Sequence, residues 1–392
     1  MTETFVFIAN SYIGKGISGG DRIFIELARR SSRGRLIIIG WDDTKKLIAK
    51  YKIDCEFINI NMPLSLSRFF ISSYIFRSIY GLFAISKILR DINDRVFLYS
   101  SSDFWPDVIP AFYAKFSFEK VQWSAAFFLA APSYFDKSDV YKGQGKIKLF
   151  FYKTSQFLSK LLIGRYADRL VSCSSITLEI LKKSIPRNRQ HIPSYMIFGG
   201  VNINHSKSQR LGVFLRSRKI YDVCFMARFH PQKGPDEMVQ IWKIVHKIDP
   251  TLKLAMIGNG PLEKDVKSLI NKFGLNNSVS LLGFLDGAEK EKVFLSSRIF
   301  AHPVVYDTGG MAAIEAMSLG LPAIAYDHIG LREVYPYGMK KIKVFDRVLF
   351  ARSIIEMLKN KQIYTKISNE AVDYSEDWNW DIKAKEFYEF IT

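Results

Sequence analysis

Asp307-Thr-Gly-Gly-Met-Ala-Ala-Ile-Glu315-Ala-Met-Ser-Leu-Gly-Leu-Pro322 is the stretch on which the fold turns. It follows an apolar run over 299–302 that ends at Pro303, and it leads into another over 323–325. Between them Gly309 and Gly310 precede a run of strong helix formers, and Gly320-Leu-Pro322 closes that run. Strand, glycine loop, helix and strand in that order predict a βαβ unit with parallel strands. The loop also suits chemistry. N–H groups at a helix N-terminus attract anions, and glycine lets a phosphate approach closely. Glu315 lies about one turn into the helix, within reach of ribose hydroxyls. Taken alone, the stretch reads equally well as a plain loop and helix with Glu315 a solvated charge.

The same alternation recurs outward from there. Apolar runs at 223–227, 253–257 and 279–282 read as strands, with helices over 235–247, 262–273, 288–296 and, later, 348–360. In the first half, 5–9, 35–40, 95–100, 121–124 and 170–172 read as strands, and a glycine-rich loop over 14–20 leads into a helix over 21–30. Periodicity fades around 186–217, where Pro, Asn, Ser and Arg cluster, which places a domain junction there. The expected fold class is α/β: two doubly wound, Rossmann-like domains facing across a cleft. The first covers 1–195, the second 196–375, and a closing helix over 376–392 returns toward the first. Such sheets bind ligands at the carboxyl ends of their strands.

Composition sets the outer limits. The chain has 392 residues, of which 48% are hydrophobic and 24% charged, enough apolar mass for two cores and too much for a disordered chain. The net charge is +18. It is uneven: residues 1–200 hold 29 Lys+Arg against 16 Asp+Glu, and 201–392 hold 27 against 22. That balance points to nucleic acid, an anionic membrane surface or a phosphate-bearing substrate, without choosing. The apolar stretch over 123–135 contains Pro132 and is too short to span a bilayer, and 4–9 is too short for a signal segment. Cys55, Cys173 and Cys224 have no C-x-x-C spacing, and His191, His205, His230, His246, His302 and His328 form no close pair. Neither zinc nor a disulfide framework is expected, and the cytoplasm is the default compartment.

Other strand ends repeat the theme of cation or glycine. Arg228 and Lys233-Gly234 follow the run at 223–227, Gly258-Asn-Gly260-Pro261 the run at 253–257, and Gly283-Phe284 the run at 279–282. Two fixed cations after a strand suit a diphosphate leaving group. An isolated Arg and Lys before a helix are otherwise a surface pair.

Gly199-Gly200-Val201-Asn202, Arg228 with Lys233-Gly234, Gly258-Asn-Gly260-Pro261, Gly283, then Asp307 and, seven intervening residues later, Glu315 form an ordered set. With it, residues 196–392 resemble the retaining, nucleotide-sugar-dependent glycosyltransferases of the GT-B fold, family 4. The closing Trp378-Asn-Trp380 and Phe387-Tyr388 resemble that family's C-terminal segment, which crosses back to the first domain. Gly16-Ile-Ser-Gly19-Gly20-Asp-Arg22 and Tyr166-Ala167-Asp168-Arg-Leu-Val-Ser172 resemble it more weakly. The resemblance implies a UDP- or GDP-linked sugar donor, no metal or other cofactor, and a glycan or lipid-linked glycan acceptor, as in polysaccharide or lipopolysaccharide assembly. It places Arg228 and Lys233 on the donor diphosphate and Asp307 on the transferred sugar. Glu315 goes to the ribose, and the backbone at Gly310 and Met311 to ribose and phosphate. Gly19, Gly20, Gly258, Gly260, Gly283, Phe284 and Gly309 complete the expected donor contacts.

Two departures stand out. Asp307 occupies a position where the family has Glu, which shortens the side chain by one methylene and moves the carboxylate by roughly 1.5 Å. The family's His after the strand at 121–124 has no counterpart in Trp123-Ser-Ala-Ala-Phe. Asp103, Trp123 and Ser124 are the candidates for the acceptor side. Asp103 reads alternatively as a helix cap before Trp105-Pro106, and His302 as a packed strand-end residue. A sugar-nucleotide-binding scaffold without catalysis is the competing function. No nucleic-acid motif is present. Asp42 or Asp43 could serve a nicotinamide site after the glycine loop, but the second half gives that reading no support.

Two segments join apolar and basic residues at helical spacing. One has Ile147, Phe150, Phe151, Phe157, Leu158 and Leu161 with Lys146, Lys148, Lys153 and Lys160; the other, 66–89, carries Arg68, Arg77 and Lys87. Either their apolar faces pack on the first sheet, or they meet an anionic bilayer as a peripheral protein on the inner face of the cytoplasmic membrane.

Overall fold

The fold is described from a computed structural model covering residues 3–14, 17–61, 70–131, 146–305 and 309–392. The described residues divide into two units: those up to Gly199 together with Trp380–Thr392, and Gly200–Asn379. Each holds one parallel sheet.

In the first unit the elements run β1 (Thr4–Ile8), α1 (Gly19–Arg29), β2 (Arg35–Gly40), α2 (Asp42–Tyr51), β3 (Glu56–Asn59), α3 (Phe70–Asp91), β4 (Val96–Ser100), α4 (Trp105–Ser117), β5 (Val121–Ala126), α5 (Lys146–Tyr166), β6 (Arg169–Ser172), α6 (Ser175–Lys182) and β7 (Ser194–Met196). The strand order is β3-β2-β1-β4-β5-β6-β7, so the order reverses between β1 and β4, with Thr4 opposite Val96 and Ile8 opposite Ser100. Strands covered on both faces need apolar residues at every position, and β1, β4 and the last five residues of β2 are buried throughout. Alternate residues point to opposite faces. Val6, Ile8, Leu98 and Trp123 join Ile85 and Leu89 of α3, Val108 and Ala111 of α4 and Ile163 of α5 in one core. Phe5, Phe7 and Tyr99 face the other way.

The second unit runs α7 (Lys207–Arg216), β8 (Tyr221–Met226), α8 (Pro235–Ile248), β9 (Leu254–Ile257), α9 (Glu263–Lys272), β10 (Val279–Leu281), α10 (Gly287–Leu295), β11 (Ser297–His302), α11 (Met311–Ser318), β12 (Ala323–Tyr326), α12 (Ile329–Val334), β13 (Met339–Ile342), α13 (Arg347–Lys359) and α14 (Lys361–Ser375). Its order is β10-β9-β8-β11-β12-β13, and the reversal falls between β8 and β11. The last helix, α15 (Trp380–Ile391), belongs to the first unit. There Tyr388 sets its ring edge-on to Phe5 at 5.0 Å and donates its hydroxyl to the Leu27 carbonyl, while Phe387 meets Tyr99 at 5.1 Å.

Two expectations change. The segment over 186–217, read as a junction without periodicity, contains β7 and α7. α7 is only ten residues long and buries just Arg210 and Phe214, too few apolar positions to produce a visible stripe; a capping box between Ser206 and Gln209 starts it. Trp105 does open a helix, but its N-cap is Phe104 with no side-chain bond, so Asp103 is not the cap.

Candidate functional site

The reversal between β8 and β11 brings the ends of those strands side by side, the place where doubly wound sheets leave a crevice for ligands. The loops confirm the closeness. Gly234 takes φ +62°, and a Cβ there would lie 2.7 Å from the Pro303 carbonyl oxygen, so only glycine lets the loop after β8 rest on the loop after β11. Gly258 has φ +137°, and its Cβ would lie 1.9 Å from the Ala227 carbonyl oxygen, while its N–H donates to the Gly283 carbonyl at 2.7 Å. Phe229 N–H reaches the Asn259 carbonyl at 2.8 Å. Among the described residues, the four glycine- or cation-bearing strand ends read from the sequence are therefore one contiguous surface: 227–234, 258–262, 282–284 and 303–305.

On that surface Arg228 is exposed, Lys233 half-buried and Phe284 exposed. His230, between the two cations, is buried. Burial first, and then the charges of Arg228 and Lys233, push its imidazole below the usual histidine range. Sequence reading passed over His230, because neither neighbour looks unusual until the loop folds.

α11 begins at Gly310, with φ +55° and no side-chain cap; among its first N–H groups, that of Ala313 donates to the Gly310 carbonyl at 2.8 Å. The preceding loop is fixed from behind. Tyr335, fully buried, donates to the Gly309 and Gly310 carbonyls at 3.1 and 2.8 Å and stacks on Trp378 at 5.5 Å. Nothing in the sequence announces this role for Tyr335, which lies 25 residues beyond the loop. Met311 is half-buried, and Glu315 receives the Lys290 ammonium at 2.9 Å. Asp307, named above for the sugar, lies outside the described residues. Below the loops Glu237 accepts both Nε and Nη2 of Arg347 and the Tyr326 hydroxyl, tying α8, α13 and β12 together. His302 is buried at the end of β11 and stacked on Phe300 at 5.9 Å, a packed residue.

The acceptor candidates fare differently. Trp123 is fully buried in β5 and donates its indole N–H to Ser100 Oγ at 3.0 Å; Ser124 is also buried. Both belong to the sheet, because β5 is a central strand with neighbours on either side. Asp103 is buried and takes a bond from Gln156 Nε2 at 2.8 Å; burial pushes its carboxyl up to about 6. Gly19 and Gly20 open α1, where Ser18 and Asp21 form a capping box, and a Cβ on Gly20 would lie 3.1 Å from the Phe128 ring. Asp42 and Asp43 sit in the first turn of α2, with Asp42 accepting from Asn59 and Asp43 from Lys46. Among the described residues no cluster of three or more His, Cys, Asp or Glu could hold a metal ion.

Two Rossmann-like sheets in one chain define the GT-B fold, and solved structures agree. HepE of Anabaena, crystallised with UDP-glucose, superposes with a TM-score of 0.69 at 18% identity, covering 98% of this chain and 99% of that one. Residues 214–373 match the family described as glycosyl transferases group 1. An uncharacterised glycosyltransferase of Methanocaldococcus jannaschii is 27% identical over 245 residues, 56% of this chain and 60% of that protein. The amylovoran biosynthesis glycosyltransferase AmsD of Erwinia amylovora is 22% identical over 260 residues, 60% of this chain and 72% of AmsD. The chain spans between about half and three-fifths of the length of the first two curated relatives it matches.

Proposed function

We propose that the protein transfers a sugar, with retention, from a nucleoside diphosphate sugar to a glycan or lipid-linked glycan, in assembly of a surface polysaccharide. One observation carries the reading: the loop that bears Arg228 and Lys233 rests, at Gly234, on Pro303 at the end of β11, the strand that precedes α11. A diphosphate there meets two cations and a helix N-terminus. As the bond from the anomeric carbon to phosphate oxygen breaks, negative charge grows on the leaving nucleoside diphosphate, and fixed cations stabilise it. The acceptor hydroxyl bonds to the anomeric carbon from the same face and gives its proton to the departing phosphate. Glu315 is assigned to the ribose, exchanging Lys290 for two hydroxyls, and Asp307 to the sugar. With two side-chain cations on the phosphates, the reaction is expected to run without a metal. The UDP-glucose seen in HepE puts UDP-sugars first in the search for a donor.

The test is a thermal-shift screen against UDP-, GDP-, ADP- and TDP-sugars, followed by turnover with and without EDTA. One donor should raise the melting temperature by mass action. Lys233→Ala should cut turnover about a hundredfold or more, as loss of one charge-stabilising group does elsewhere. Unchanged turnover in that variant would remove the cations from the reaction, and activity abolished by EDTA would assign the phosphate charge to a metal.

A further inference from the structure

We infer that the outer face of α3 and α5 docks on an anionic lipid bilayer. A water-facing helix ordinarily presents charges outward. α3 does the opposite. Ile71, Ile75, Ile79 and Phe83 recur every fourth residue, all are exposed, and Phe83 reaches 70%. The stripe is about 18 Å long at the helical rise. Its inner face is already committed: Tyr74, Arg77, Ser78, Gly81, Ile85 and Leu89 are buried. Arg77 donates to the Asn10 carbonyl at 2.9 Å and lies over the Trp41 ring, so the stripe cannot turn inward without breaking that anchor.

α5 adds a second stripe. Phe150, Phe157, Leu158 and Leu161 are exposed, whereas Phe151 packs against Phe70 and Tyr74 of α3 at 6.0 and 5.3 Å. The two stripes thus meet at the N-terminal ends of their helices. Of the apolar residues expected on this helix, Ile147 lies among side chains that are not described.

Charge selects the occupant. From Phe70 to Arg90, and along all of α5, there is no Asp or Glu. Lys87 and Arg90 end the first stripe on the exposed side, and Arg165 the second. Apolar stripes that end in cations complement an anionic bilayer surface, where the apolar groups enter the acyl boundary and the cations stay among headgroups, with Asp91 and Glu56 beside Phe83 and Lys87 at one end of the first stripe. No helix among the described residues is long and apolar enough to cross a membrane, so this is attachment along the surface. Such a face brings the enzyme to a lipid-linked acceptor, and to that extent rests on the reading above.

The test is co-sedimentation of the full chain with vesicles of equal parts phosphatidylglycerol and phosphatidylcholine at low salt, against pure phosphatidylcholine. Binding is expected to the first and not the second. Ile79→Glu with Phe83→Glu should lower binding about tenfold or more. Lys87→Gln with Arg90→Gln should lower it about fivefold per charge removed. Both pairs are exposed and should leave donor-induced thermal stabilisation unchanged. Absent vesicle binding, or wild-type binding by the Glu pair, overturns the inference. So does conversion of a dimer to a monomer by the Glu pair in sedimentation velocity, which would give the stripe to a second copy. Vesicle binding without any donor response would leave this face standing and remove the glycosyltransferase reading.

Discussion

At the scale of single residues, the loop surface at the strand ends of the second unit was legible wherever glycine was obligatory. Gly234 and Gly258 could be picked from the sequence because no other residue tolerates their φ with a carbonyl so close. The burial of Trp123 and Ser124 was not legible, because a strand end and a strand interior look alike in sequence; only pairing on both sides shows that β5 is central. Asp103 now has a different consequence. Burial raises its carboxyl to about 6, above the ordinary value near 3.9. Between about pH 4 and 6 the folded protein therefore holds a proton that the unfolded chain has released. Stability falls as pH rises through that window and levels off above it. Asp103→Asn keeps an acceptor for Gln156 and removes the charge. It should flatten this part of the profile and stabilise the protein at neutral pH, by on the order of 2 kcal/mol. Urea melts at several pH values read it, and Asp107, also raised to about 6, will keep the remainder of the slope. An unaltered slope in the variant would mean that Asp103 is ionised in its pocket.

At the scale of elements, long apolar runs fixed most strands, and three of the four short edge strands were beyond reach. β3, β7 and β13 are three or four residues each and partly exposed, so they carry no alternation to read. α7 was hidden for the same reason. α11, by contrast, was bounded correctly because glycines frame it at both ends. Its N-terminal Gly310 is held in a left-handed conformation against Leu331 and Tyr335, where a Cβ would lie 3.0 and 3.2 Å from their side chains. Gly310→Ala should cost about 1–2 kcal/mol from backbone strain alone and tilt the first N–H groups away from any bound phosphate. Donor affinity should drop by more than the stability loss explains. Calorimetric titration with the donor found in the screen checks this, and an affinity equal to wild type would show that the helix start is not a phosphate contact.

At the scale of the molecule, the fold class was readable from alternation alone, since strand followed by helix admits few topologies. The order of strands was not, because nothing local encodes which neighbour a buried strand takes. Nor did the sequence reveal how much depends on α15. Trp380, Phe387, Tyr388 and Ile391 are all buried in the first unit. Removing residues 380–392 should expose Phe5, Phe7 and Tyr99. At about 1.5–3 kcal/mol per large side chain, the loss approaches the whole stability of a domain. The truncated chain should melt in two separated transitions, the first unit's far below the second's; a single wild-type transition would show that α15 is dispensable.

That helix also imposes a timetable. The first unit is discontinuous, and the 180 residues of Gly200–Asn379 must be made before its last piece exists. At about 5–20 residues per second, one face of the first sheet stays uncovered for roughly 10–40 seconds after its strands leave the ribosome. The half of the protein that is synthesised first is thus the half that finishes folding last, and it waits through that interval with Phe5, Phe7 and Tyr99 open to whatever chaperone reaches them.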